Sequence, residues 1–219
     1  MPLEWEWVAD QARVVLEDVP VAAIKITLPG TVATVPALAE LVADYAELPL
    51  VLELPALSAQ EDEPDDAHLA AALELLVPYA STVVLDPSAA RRLIAAGIDD
   101  EEPDMPLDEI AALLCGIGAQ TVLFLGAEAA GPQEIHALHD ENGVLQREVF
   151  ERAPRRVLGF GATVSAALAA GLAQSRPMGD AVREALQFAL RSESGGLHMG
   201  MGALVPDRMF WARNDDGAT

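Results

Sequence analysis

Residues 157–174, VLGFGATVSAALAAGLAQ, carry the clearest chemical pattern in the chain: a strand end, two glycines one residue apart, and a helix of small residues. A turn of this kind aims several backbone N–H groups at one point beside the positive end of a helix dipole. That arrangement favours an anion such as phosphate. Gly159, Phe160, Gly161, Ala162 and Thr163 are therefore the candidate anion-binding residues. Two of them argue against reactivity. Ala162 stands where a side chain that moves a proton is expected, and the Phe160 ring competes for space that a phosphate would use. Taken alone, Gly-x-Gly before a helix is more commonly only a tight turn.

Other residues along the chain also carry groups capable of chemistry. Lys25, the only lysine, lies between Ile24 and Ile26 on a strand pattern. It reads either as a cation facing the site or as a side chain snorkelling to solvent. Asp86, before Pro87, offers a carboxylate to a cation, although a helix-initiating turn explains it equally well. His136 and His139 sit three apart on an alternating strand, which sends them to opposite faces and argues against a metal pair. His68 and His198 have no ligand-like neighbours in sequence. Ser165 lies inside the small-residue helix with no nearby histidine to activate it, so reaching back to a carbonyl is its expected role. Cys115, the single cysteine, falls in the apolar run IAALLCGIG and reads as a small core residue. Neither a catalytic residue nor a metal site is expected.

The charge restricts the partners. Across 219 residues, 35 acids against 13 bases give a net charge of −22. Such a surface repels nucleic-acid phosphates and anionic lipid, so both are discounted. A salt-rich cytoplasm, a basic partner or a bound cation would each make the acidity tolerable. The acids gather in EDEPDD (61–66) and DDEEPD (99–104), which read as solvated loops because neither has the spaced ligands and central glycine of a calcium loop. No apolar run is long enough to span a bilayer, and the opening MPLEWEW resembles neither a signal nor a transit peptide. A cytoplasmic location is expected.

The elements that must position these residues follow from periodicity. Helices are expected over 4–17, 34–45 (with Thr34 as N-cap), 67–78, from Pro87-Ser88 onward, 107–117, 162–174 and 178–191. Strands are expected over 22–28 (ended by Pro29-Gly30), 48–54, 82–86 and 121–125, and EIHALHD with GVLQREVF forms a hairpin around Glu141-Asn142-Gly143. Alternating helix and strand implies a mainly parallel sheet covered on both faces. Met199, Met201 and Met209 are expected to pack adaptably in the tail. Trp5 and Trp7 are read as covering core or as forming an interface.

At residues 159–163 the chain resembles the hydroxymethylpyrimidine and phosphomethylpyrimidine kinases of thiamine biosynthesis, members of the ribokinase-like group. VLEDVPVAAIKITLPGT (15–31) is similar to their segment ending in Lys-Ile-Gly-Met-Leu-Gly, and LPLVLELP to the strand ending in Asp-Pro. STVVLDP stands in the place of the strand before Thr-Pro-Asn, and AQTVLFLGAE in that of a strand ending in Val-Lys-Gly-Gly-His. LGFGATVSAALAAGLAQ is similar to His-Gly-Thr-Gly-Cys-Thr and its helix, and PDRMFWAR to the ending. The resemblance implies a three-layer α-β-α fold in one domain (1–219), with ATP and magnesium as the family's cofactors.

The departures shape the functional expectation. The family's opening strand and glycine-rich pyrimidine segment are expected to be missing here. The position of the family's base is Ala162, its preceding histidine is Leu158, the threonine between the glycines is Phe160, and its lysine is Leu125. Phosphoryl transfer needs cations on the phosphates and a base for the hydroxyl proton, and alanine supplies neither. The expectation is a non-catalytic relative that retains a vestigial site for a nucleotide or pyrimidine phosphate, paired with a second copy or another protein chain. Two alternatives stand beside it: an ATP-dependent kinase with a rebuilt site, using Asp86 or a partner's residue, and a structural subunit with no small ligand.

Overall fold

The computed structural model describes residues 4–28, 31–54, 66–98, 105–151 and 157–212. Among them runs one six-stranded sheet in the order β1-β2-β3-β4-β5-β6, formed by Ile24–Thr27, Leu50–Glu53, Thr82–Leu85, Val122–Ala130, Gln133–Asp140 and Gly143–Glu151. The first four strands are parallel, and β4, β5 and β6 form an antiparallel meander. β2 and β3 are buried at every residue, as their apolar composition requires of central parallel strands covered on both faces.

Alternation along these strands divides the core. Leu50, Leu52, Val83, Leu85, Val122 and Phe124 face the helices α2 (Thr34–Asp44), α3 (Asp66–Leu75), α4 (Pro87–Ile98) and α5 (Leu107–Ile117). Val51, Val84 and Leu123 face α6 (Phe160–Ala173) and α7 (Met178–Ser194). The result is the expected three-layer α-β-α arrangement. Small residues on α6 let it lie close to the sheet, with Val164, Ser165 and Leu168 fully enclosed.

Several local expectations are corrected. Thr34 is not the N-cap of α2 but its first residue: the cap position falls on Ala33, which makes no side-chain cap hydrogen bond, and the Thr34 hydroxyl instead shares a 2.7 Å hydrogen bond with Thr31. β4 continues five residues beyond Leu125, through Gly126 at φ +68° and a register shift between Phe124 and Glu128, to pair with β5. Met199 and Met209 are exposed rather than packed: the tail is tied down through other residues, by the bridges Val157–Leu204 and Leu197–Val205, the Asp207 N–H to the Ser192 carbonyl, Arg208 to Thr163 and the Phe210 ring against Phe188. Met201 is exposed as well.

The opening helix, α1 (Trp5–Asp18), has no fully buried residue. It reaches the core through Ala12 and Leu16, while Trp7 is 65% exposed and covers no core. Cys115 is half-buried against the core, and burial pushes its thiol pKa up. Pro29-Gly30, the run DDEEPD and all of EDEPDD except Asp66 lie outside the described residues. Among the described residues, no helix is long and apolar enough to cross a membrane.

Candidate functional site

The carboxyl ends of β1 and β2 meet the start of α6, the end of an open α/β sheet at which ligands generally bind. Gly159 caps α6 in the left-handed conformation, φ +84° and ψ +24°, which glycine adopts without steric cost. The amides of Phe160, Gly161 and Ala162 open the helix and have no acceptor within it. Thr163 closes the turn: its N–H and its hydroxyl both donate to the Gly159 carbonyl, at 3.0 and 2.8 Å.

A residue from the tail completes this edge. Arg208 Nε donates to Thr163 Oγ1 at 3.0 Å, and its Nη2 lies 3.1 Å from where a Cβ on Gly159 would sit. A guanidinium at the positive end of a helix is electrostatically unfavourable by itself. It becomes favourable once an anion lies between them. The sequence reading missed Arg208, which is 45 residues from Thr163.

Beneath the turn lies a second group that the reading also missed. Glu53, the last residue of β2, is only 2% exposed. Its Oε2 accepts from Lys25 Nζ at 2.6 Å, Thr27 Oγ1 at 2.9 Å and Ser165 Oγ at 3.0 Å, and Lys25 also contacts Thr27. Its Oε1 faces α6 so closely that a Cβ on Gly161 would lie 3.2 Å from it. Strand alternation puts Lys25, Thr27 and Glu53 on the side facing α6, because Thr27 pairs with Glu53 and Lys25 with Val51. Lys25 thus faces the site as an ion-paired cation. Ser165 does reach back to a carbonyl, that of Ala162 at 3.2 Å, while also binding Glu53.

The remaining candidates fall elsewhere. Asp86 Oδ1 accepts the Ala89 N–H at 2.8 Å and so caps α4. Phe160 turns its ring onto His136, with centroids 5.6 Å apart and planes 26° from parallel. His136 is buried, accepts the Gly126 N–H on Nδ1 at 3.0 Å, and leans on Phe150. Burial pulls its pKa down to about 4, against the opposing pull of the Glu148 charge. His139 points to the other side of the sheet, where Nε2 lies 2.9 Å from Asp108 on α5 and the ring meets the Phe124 ring edge-on. Leu125 packs beside Gly161.

This fold is that of the ribokinase-like vitamin kinases. It superposes on the pyridoxal kinase of Staphylococcus aureus, solved in complex with ADP, with a TM-score of 0.80 at 21% identity, covering 97% of this chain and 77% of that one. The sequence goes further: the family model described as phosphomethylpyrimidine kinase matches residues 1–207, and the chain belongs to that family. It is 30% identical over 216 residues to the hydroxymethylpyrimidine/phosphomethylpyrimidine kinase of Streptomyces coelicolor, covering 94% of this chain and 75% of that protein. It is 29% identical over 185 residues to the thiamine biosynthesis bifunctional protein ThiED of Geobacter sulfurreducens, covering 83% of this chain but 37% of the relative.

Proposed function

We propose that the chain binds the phosphates of a nucleotide or a pyrimidine phosphate at Gly159–Thr163 and transfers no phosphoryl group. The observation that carries this reading is the set of side chains at the first turn of α6. Ala162 presents a methyl group there, and the carboxylate against the turn, Glu53, already has three donors on one oxygen. A phosphate is well served: free helix amides meet it from one side and the Arg208 guanidinium from the other. At Ala162 a substrate hydroxyl finds no acceptor for its proton, and the carboxylate against the turn is already ion-paired to Lys25.

Magnesium fits this donor set poorly. The Lys25 ammonium already sits on the carboxylate that a divalent ion would require. ATP would bring its transferable group, while this chain's own residues hold and orient the phosphates. One observation favours the kinase alternative: Glu53 Oε1 points at the turn, and it, rather than the α4 cap Asp86, is the candidate proton acceptor in a rebuilt site.

One experiment separates the readings. The protein is mixed with ATP, magnesium and hydroxymethylpyrimidine, ADP release is followed, and ADP binding is measured by thermal shift on the same preparation. We expect a shift without turnover; saturation at a hundred times the dissociation constant adds about 2.7 kcal/mol of stability. Steady ADP release abolished by Glu53→Gln would establish the kinase. Silence in both assays would favour a subunit without a small ligand.

A further inference from the structure

The α6 turn is bordered by opposite charges. On one side stands Arg208; beneath lies the Glu53 carboxylate, facing Gly161. A carboxylate close to a helix N-terminus satisfies the dipole, and in doing so it opposes a second anion at the same amides. Lys25 removes that conflict. Its ammonium is 2.6 Å from Glu53 Oε2, with the lysine side chain 23% and the glutamate side chain 3% exposed, so little water screens either charge from the other. Thr27 and Ser165 add neutral donors that hold the carboxylate in place without cancelling its charge.

We propose that Lys25 is a specificity-determining residue: by neutralising Glu53 it sets the charge that the first turn of α6 presents, and so decides whether that turn accepts an anion. The inference rests on the reading of the turn as a phosphate site and deepens it. Three features support it together. Lys25 is the only lysine in a chain of net charge −22. Register and alternation aim it at the one buried glutamate among the described residues. That glutamate touches the turn directly and not through an intervening side chain.

The test is a double-mutant cycle on the full chain, with ADP as probe in the presence of EDTA and affinity read by titration calorimetry. Lys25→Met should weaken ADP binding by roughly tenfold or more, the effect of one unscreened charge several ångströms from the ligand. Glu53→Gln should tighten it by a similar factor, and the double variant should return to within about threefold of the wild type. A merely structural role predicts the opposite pattern, with both single variants weaker and the double no better, and that result would overturn the proposal. Should Lys25→Met fail to fold, Glu53→Gln decides alone: tighter binding supports the charge balance, unchanged or weaker binding overturns it. ADP binding by Glu53→Gln but not by the wild type would sink the phosphate reading of the native chain and leave the charge balance standing. Binding by neither would overturn both.

Discussion

His136 ties the β4–β5–β6 meander to the start of α6, and replacing it by glutamine gives a sharp test of that linkage. The ring accepts the Gly126 N–H on Nδ1 and stacks on Phe160, so the fold requires the neutral imidazole. Burial drops its pKa from 6.5 to about 4. Above pH 6.5 both folded and unfolded chains carry it neutral, and its titration costs no stability. As pH falls below 6.5 the unfolded chain takes up a proton that the folded chain refuses, and stability is lost until the folded pKa is reached. Integrating these two pKa values gives a loss of about 2 kcal/mol between pH 7.5 and 5, and about 3 kcal/mol at the acid limit. Glutamine keeps an acceptor for Gly126 and does not titrate. Urea unfolding of both proteins between pH 7.5 and 5, above the sequence pI of about 4.2, cancels every other titration common to them. His136→Gln should start less stable, through its lost ring contacts, and the gap should close by about 2 kcal/mol as pH falls. Parallel stability curves would refute the reasoning.

Two further substitutions address separate parts of the molecule. Gly118→Ala should cost about 2–4 kcal/mol, read from the urea midpoint, because φ is +139° and a Cβ would meet the Pro78 Cα at 2.8 Å and its carbonyl oxygen at 2.9 Å. Backbone cannot move aside as a side-chain end can. Arg208→Ala should weaken ADP binding by about tenfold or more in calorimetry, the scale of one charge-assisted hydrogen bond, and leave the unfolding midpoint nearly unchanged because the side chain is exposed. Unaltered affinity would remove Arg208 from the site.

The fold was legible wherever local pattern decides it. α5 runs over the residues that periodicity assigns, and the apolar runs of β2 and β3 identify central strands before any contact is known. β4 was cut short because GAEAA has neither β-branched residues nor alternation; its last residues are strand only because β5 pairs with them. The tail failed for the reverse reason. Methionine composition suggests packing, yet packing needs a neighbouring surface, and around Met199 and Met201 there is little of it.

The candidate site was legible in its backbone and in Lys25, which the sequence offers as a cation facing it, and not in Glu53 or Arg208. Two glycines before a small-residue helix announce the turn, whereas Glu53 and Arg208 are single residues whose importance comes from where distant segments land. A clue was present for Glu53: a lone carboxylate inside the buried strand LPLVLEL needs a cation, and the only lysine lies on the preceding strand. No equivalent clue existed for Arg208, one arginine among several, placed by the fold of the tail.

Fixing the turn from three directions has a physical consequence. Glu53 abuts Gly161, His136 stacks on Phe160, and Arg208 holds Thr163, so strand, meander and tail each restrain a different residue of five consecutive positions. A ligand arriving there need not order the loop, and the entropy that would otherwise oppose binding is already spent in folding. On the proposed reading, that is how a turn without a reactive side chain holds an anion. Affinity needs only donors in place, whereas group transfer also needs a proton acceptor, which the methyl group of Ala162 does not supply.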